Sequence, residues 1–450
     1  MAPYLVDWRS RYRGTALGVV EPSTADEVAV AVRIASAHGV KVVPQGGNTG
    51  LVGGGVPLTK HEGSQQIVVS LRRLNRIRDL DLLDNVIVVE AGVILQNAQA
   101  AARTAGRLLP ISLAAEGSAQ IGGIVSTNAG GTNVLRFGST RELVLGLEVI
   151  LADGSIWNGL QRLRKNNAGY DLKQLFIGSE GTLGIVTAAA IKLFPLPHSC
   201  VTTFIAVPSP AAAVRLLRYL QSELGDSLTA FELIERVCLD LVFGVVEEAR
   251  DPFEQSYPWY VLAEVSATVK EVVLDDIVER SLASAFEIGI AMDAVLAQSE
   301  KQRVELWRLR DEITEAERRH GPSAKHDISI PVSRISDFLA RAPATVRTHV
   351  PHARPIAFGH VGDGNIHFNV LAPAEDADCI NRAVYDLVTT LGGSISAEHG
   401  IGQSKIELLA HYKDRTSLSL MQRVRRALDP STTFNPGKLV HVPPVRGSDL

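Results

Sequence analysis

Cysteine is nearly absent. Cys200, Cys238 and Cys379 are odd in number and far apart in 450 residues, which excludes both a disulfide framework and a paired-cysteine metal site. They are expected as buried, reduced thiols that pack as small apolar groups. Long hydrophobic runs are missing too: none reaches the roughly 18 residues needed to cross a bilayer. The opening stretch MAPYLVDWRSRYRG lacks the apolar centre of a secretory signal and is too short in character for a long transit peptide. A cytoplasmic, reducing compartment is the expectation. Neither sign of charge dominates, with 45 Lys and Arg against 49 Asp and Glu, and the basic residues form no stripe. No nucleic-acid partner is therefore expected. No internal repeat occurs at the usual periods.

What remains is a globular composition, 46% hydrophobic and 21% charged with 38 glycines, which favours tight turns and small-molecule chemistry. At about 150 residues per domain the length implies two or three domains. The first 195 residues alternate helical and β-branched patterns. Thr24 to Glu27 reads as a capping box before Val28, Ala31, Val32 and Ala35 at helical spacing, with Gly39 as the stop. VILADGSIW carries an Asp-Gly hairpin turn at Asp153 and Gly154. Pro195 and Pro197 mark a connector, so boundaries are placed at 1–195, 196–410 and 411–450, the last a short segment returning to the first domain. The middle region reads as an antiparallel sheet layered with helices.

Three glycine-rich segments stand out. Pro44 to Gly54, PQGGNTGLVGG, follows a strand and holds five glycines in eleven residues. Without side chains, backbone N–H groups can turn toward a diphosphate. The segment fits neither the dinucleotide fingerprint nor the P-loop. The second runs from Gly117-Ser118-Ala119-Gln120-Ile121-Gly122-Gly123 to Asn128-Ala129-Gly130-Gly131, and the third from Ile177 to Gly184, IGSEGTLG. In this order and spacing they resemble the FAD-binding domain of the vanillyl-alcohol oxidase type. The resemblance implies an α+β fold: an FAD-binding domain of two subdomains plus an α+β substrate, or cap, domain with an antiparallel sheet. It also implies cofactor contacts from Pro44, Gly46, Gly47, Asn48, Thr49 and Gly50 at the pyrophosphate. Gly117, Ser118, Gly122, Gly123, Thr127 and Asn128 would line the central stretch, with Glu180, Gly181, Ile185 and Asn435 completing the site. No histidine or cysteine stands where relatives attach FAD covalently, so non-covalent FAD is expected.

Ile356 to Val370, IAFGHVGDGNIHFNV, reads as a hairpin. A two-residue turn at Asp363-Gly364 would set His360 directly opposite His367, with Asn369 on the same face. Two opposed imidazoles suit a shared metal. Ser394 to Gly402, SISAEHGIG, adds the adjacent Glu398 and His399, of which one could bind metal and the other face substrate. Two histidines and a carboxylate fit Zn²⁺ best, then Fe²⁺ or Mn²⁺. An ordinary Glu and His at a glycine turn is the alternative.

These two segments resemble the C-terminal domain of FAD-linked D-lactate and D-2-hydroxyglutarate dehydrogenases. The resemblance implies His360, His367 and Glu398 as metal ligands, Asn369 as a substrate contact and His399 as the catalytic base that also touches substrate. Residues 299–320 read as one helix with Leu306, Leu309, Ile313 and Ala316 on its inward stripe beside Arg310. Arg310 is either a salt-bridge partner or a carboxylate clamp. WRLRDEIT followed by KHDISIPVSRI resembles the hydroxyglutarate branch, which implies that Arg310, Thr314 and Lys325 hold the substrate's carboxylates. The expected reaction is oxidation of D-2-hydroxyglutarate to 2-oxoglutarate with hydride transfer to FAD, D-lactate or D-malate being the alternative substrates. The expected partners are the hydroxy acid and an electron-transfer flavoprotein or quinone, and a homodimer is allowed. Two rivals are a non-redox metallohydrolase and a flavin-binding subunit inactive on its own.

Overall fold

The computed structural model describes residues 1–59, 65–270 and 272–442. The chain divides into two compact units. The first comprises Met1–Gly131, Gly138–Pro195 and Glu398–Leu450, and the second Thr132–Phe137 and Leu196–Ala397. The return to the first unit thus starts at Glu398 rather than at residue 411, and the short stretch Thr132–Phe137 belongs with the second unit. Among the described residues no helix is long and apolar enough to cross a membrane.

The strands of the first unit are β1 (Gly18–Val20), β2 (Lys41–Gln45), β3 (Gln66–Ser70), β4 (Ile77–Asp81), β5 (Val86–Glu90), β6 (Arg107–Leu108), β7 (Val144–Ile150), β8 (Ile156–Gly159), β9 (Ile185–Lys192) and β10 (Phe194–Pro195). They form a parallel sheet of order β1-β3-β2, an antiparallel sheet of order β4-β5-β9-β7-β8 and the pair β10-β6. Thr24 caps the helix Ala25–Ala37 by accepting from the Glu27 amide. Glu27 reaches back to the amide and hydroxyl of Ser23, one residue earlier than a reciprocal box would have it. That helix buries Val28, Ala29, Val32 and Ala35 against Val42, Val69, Ile150, Ile185 and Phe434. Five residues, 151–155, join β7 to β8, and the turn between Leu151 and Ser155 holds three residues, not two. Leu151 pairs with Ser155, and Gly154 takes a φ of 77° that an L side chain resists.

The second unit is built on one antiparallel sheet. Its strands are β11 (Ser199–Val207), β12 (Leu228–Glu235), β13 (Trp259–Ala267), β14 (Asp293–Leu296), β15 (Ser323–Ser329), β16 (Arg354–His360) and β17 (Asn365–Leu371), in the order β14-β11-β13-β12-β16-β17-β15. The expected single helix over 299–320 is two, Glu300–Asp311 and Ile313–His320, broken at Glu312. Its inward stripe is as expected: Leu306, Leu309, Ile313 and Ala316 pack on Ile234, Ile356 and Phe358 of the sheet. The cysteines depart from expectation. Only Cys238 is buried, inside this same core, while Cys200 and Cys379 are exposed free thiols.

Candidate active-site residues and the family

The first glycine segment is anchored at both ends by Gln45 at the end of β2, whose Nε2 donates to Tyr4 O at 2.9 Å and Gly55 O at 2.7 Å. Asn48 sits at a φ of 53° with its Nδ2 donating to Val6 O at 2.8 Å. Among the described residues no acceptor takes the N–H groups of Gly46, Gly47, Asn48, Thr49 or Gly50. Five successive backbone donors without a partner among the described residues can serve an anion. The second glycine segment lies against this loop: a Cβ at Gly47 would stand 2.0 Å from Ser118 O. Beside it the Oε1 of Gln120 is buried with no hydrogen-bond partner among the described residues. A cradle of open amides and an orphaned polar atom fit the pyrophosphate and a polar edge of FAD.

The other expected cofactor residues are mostly engaged by the protein. Thr127 bonds back to Gly123 O, and Asn128 accepts from the Arg141 amide at 2.8 Å and the Ser139 hydroxyl at 3.2 Å. Ile185 lies in the core. Glu180, at a φ of 52°, accepts from the amides of Ile401 at 2.8 Å and Gly402 at 2.7 Å. Asn435 Nδ2 donates to Glu180 O at 2.7 Å and Gly54 O at 3.0 Å. Sequence reasoning missed Lys438. It is fully buried, and its Nζ donates to Gly54 O, Val56 O and Asn435 Oδ1 at 2.5–3.0 Å, pinning the glycine loop from behind. Burial pushes its pKa down to about 7 against the opposing pull of Glu180.

In the second unit, strand alternation along β17 divides its residues between two faces. Ile366, Phe368 and Val370 of β17 are buried on one side, and His367 and Asn369 point to the other. The hairpin register differs from expectation. His367 pairs with Phe358, not with His360, because the residues between His360 and Asn365 form a four-residue loop. Asp363 and Gly364 donate back to His360 and Val361, and the Ile330 amide is bonded to Gly364 O. The shift is two residues, so face parity survives. The two histidines are diagonal neighbours with ring centroids 5.7 Å apart and planes at 76°.

Neighbouring strands supply the residues that orient this face. Glu232 of β12 pairs with His360, is fully buried, and accepts from His360 Nδ1 and from Arg310 Nε, the latter at 2.9 Å. Burial opposes its ionisation, but the charges of His360 and Arg310 outweigh that and hold its pKa down to about 2. With Nδ1 engaged, Nε2 is the ring nitrogen through which His360 could hold a metal. Asp327 pairs with His367, its Oδ1 lying 3.9 Å from the ring Nδ1. Lys325 pairs with Asn369, and both donate to Oε2 of the buried Glu317, at 3.0 and 2.7 Å. Arg310 also lies 5.3 Å over the Phe358 ring. Thr314 is exposed on the second helix half. The missed residues Glu232 and Glu317 had a signal: each is a lone carboxylate at an inward position of an otherwise apolar pattern.

The second unit ends at Ala397, whose amide donates to Asp327 O at 3.1 Å. The next residue, Glu398, is in the first unit, where its Oε1 accepts from the Gly131 amide at 2.7 Å. Glu398 and His399 are half-buried. Gly400 and Gly402, at φ of 79° and 52°, wrap the chain onto Glu180 and Val52, where a Cβ would come within 2.7 and 2.2 Å of an oxygen.

Two family models match this chain: the FAD binding domain over residues 16–159 and the C-terminal domain of FAD linked oxidases over 196–439. The chain belongs to the FAD-linked oxidase family. It is an FAD-dependent oxidoreductase. The D-2-hydroxyglutarate dehydrogenase of Xanthomonas citri pv. viticola is 38% identical over 445 residues, covering 96% of this chain and 91% of that one. The mitochondrial D-2-hydroxyglutarate dehydrogenase of Rattus norvegicus is 37% identical over 439 residues, covering 96% and 80%. Among solved structures, p-cresol methylhydroxylase with substrate bound has a TM-score of 0.73 at 16% identity, covering 97% of this chain and 91% of that one. An alkyldihydroxyacetonephosphate synthase has a TM-score of 0.70 at 17% identity, covering 93% and 75%. These two likenesses give the fold, the vanillyl-alcohol oxidase type of α+β FAD enzyme.

Proposed function

We propose that this oxidoreductase oxidises D-2-hydroxyglutarate to 2-oxoglutarate. The observation that carries the reading is the pair of positioned cations on one polar face, Arg310 held by Glu232 and Lys325 held by Glu317. A dicarboxylate asks for two separated cationic anchors, whereas a monocarboxylate asks for one. The names of the full-length relatives point the same way.

Arg310 has its Nε engaged, so its terminal nitrogens are the ones directed to a carboxylate. Lys325 takes the second carboxylate and Asn369 contacts the substrate between them, with Thr314 beside Arg310. His399 accepts the proton of the 2-hydroxyl. Gly46 to Gly50 and the Gly117–Asn128 segment would hold FAD, which would supply the acceptor for the α-hydrogen as hydride. We assign His360, His367 and Glu398 as ligands of a divalent cation, zinc by the donor set. When bound, such an ion makes the substrate hydroxyl more acidic. Each imidazole has a carboxylate beside it, Glu232 at His360 and Asp327 at His367.

Turnover with an artificial electron acceptor across both enantiomers of 2-hydroxyglutarate, lactate and malate, together with glycolate, tests the reading. The highest kcat/KM is expected for D-2-hydroxyglutarate. A preference for any monocarboxylate, or for an L-enantiomer, would overturn it.

A further inference from the structure

We propose that Glu317 is the positioning residue that sets selectivity for the substrate's second carboxylate, by fixing Lys325 and Asn369 on a single buried oxygen. Glu317 is fully buried, whereas the Lys325 side chain is 24% exposed. The acid is thus closed to solvent, and the lysine is partly open to it. Glu317 Oε2 accepts from both Lys325 Nζ, at 3.0 Å, and Asn369 Nδ2, at 2.7 Å, while Ser323 Oγ donates to the other oxygen.

Three consequences follow from this geometry. An ionised carboxylate only accepts, so Asn369 must turn its Nδ2 toward Glu317, and the His326 amide donates to Asn369 Oδ1 at 3.2 Å. The amide orientation is thereby determined from both ends. A lysine ammonium carries three donors on a flexible four-carbon stem, so it can serve Glu317 and a ligand together while Glu317 restrains the stem. Glu317 also cancels the lysine's charge at long range. Anions in general are then not attracted, and only a carboxylate that reaches hydrogen-bonding contact gains. The helix Ile313–His320 delivers this acid because the chain breaks at Glu312, after Arg310 has met Glu232.

The inference rests on the reading that Lys325 meets the distal carboxylate, and calorimetry on the oxidised holoenzyme separates the two. The probes are 2-oxoglutarate and 2-oxopentanoate, which differ only in that carboxylate. Wild type is expected to bind 2-oxoglutarate at least about tenfold more tightly, the worth of one charge-assisted bond. Glu317→Gln is expected to reduce that preference about tenfold, and to raise KM for D-2-hydroxyglutarate far more than it lowers kcat. Glu317→Asp should recover part of it. A wild type without the preference sinks the substrate reading itself. A discriminating wild type matched by an equally discriminating E317Q sinks only the positioning role. If the unpaired lysine unfolds E317Q, the neutral pair E317Q/K325M is compared with K325M. Equal preference within about twofold supports action through Lys325, and a further tenfold loss overturns it.

Discussion

Lys325 carries the sharpest test among single residues. Lys325→Met should cost D-2-hydroxyglutarate about ten- to a hundredfold in kcat/KM, because a charge-assisted hydrogen bond is worth roughly 1.5–3 kcal/mol. An equal loss with D-lactate would show that the lysine does not meet a distal carboxylate. Glu232 should act through His360 instead. Glu232→Gln leaves the imidazole without its carboxylate partner and is expected to weaken metal binding about 10- to 100-fold in chelator competition. Unchanged affinity would remove the metal role assigned to His360. Gly47→Ala places a Cβ 2.0 Å from Ser118 O, so the loop must move. FAD affinity, read by flavin fluorescence on dilution, should fall at least about tenfold for a clash of that kind. The histidines, Asn369 and the glycines were legible because each is an unusual residue at a patterned position. Lys438 was not, since a buried charge looks like a surface charge until its partner is known and Gly54 and Val56 lie far along the chain; Glu232 and Glu317 stood out only as inward carboxylates, with nothing to name His360, Arg310, Lys325 and Asn369 as their partners.

Among elements, the hairpin β16–β17 shows what pattern can and cannot deliver. The period of two placed His360, His367 and Asn369 on one face, and that reading stands. The turn length did not follow, because Asp363-Gly364 suits a two-residue turn equally well and the Ile330 amide bonded to Gly364 O acts from the residue after β15. The same happened at Asp153-Gly154. The 299–320 helix kept its inward stripe but hid its break at Glu312, as helical periodicity continues across it. The end of β12 offers a pH test. Burial raises Glu235 to about 7 although the Ala357 amide donates to it. The folded state then binds more protons than the unfolded state between about pH 4.5 and 7, so stability falls as pH rises through that window. Discounted for partial exposure, the loss is roughly 1–3 kcal/mol. Glu235→Gln should flatten the dependence of Tm on pH there, and an unaltered slope would contradict the assignment.

For the whole molecule, two units divide the chemistry between them. The first presents open amides from Gly46 to Gly50, and the second presents a polar sheet face with two imidazoles and two held cations. Mixed α and β structure and the connector at Pro195 could be read from alternation and proline. The early return at Glu398 could not, because nothing in the composition of SAEHGIG separates one unit from the other; the amide contacts of Glu180 with Ile401 and Gly402 make that assignment. One measurement bears on the central claim most directly. The purified holoenzyme is held without oxygen or acceptor, and one equivalent of D-2-hydroxyglutarate is added while the visible flavin absorption is followed. Bleaching with formation of 2-oxoglutarate is expected, and none with the L-enantiomer. A flavin that stays oxidised with the D-enantiomer, or that bleaches with the L-enantiomer instead, would contradict it.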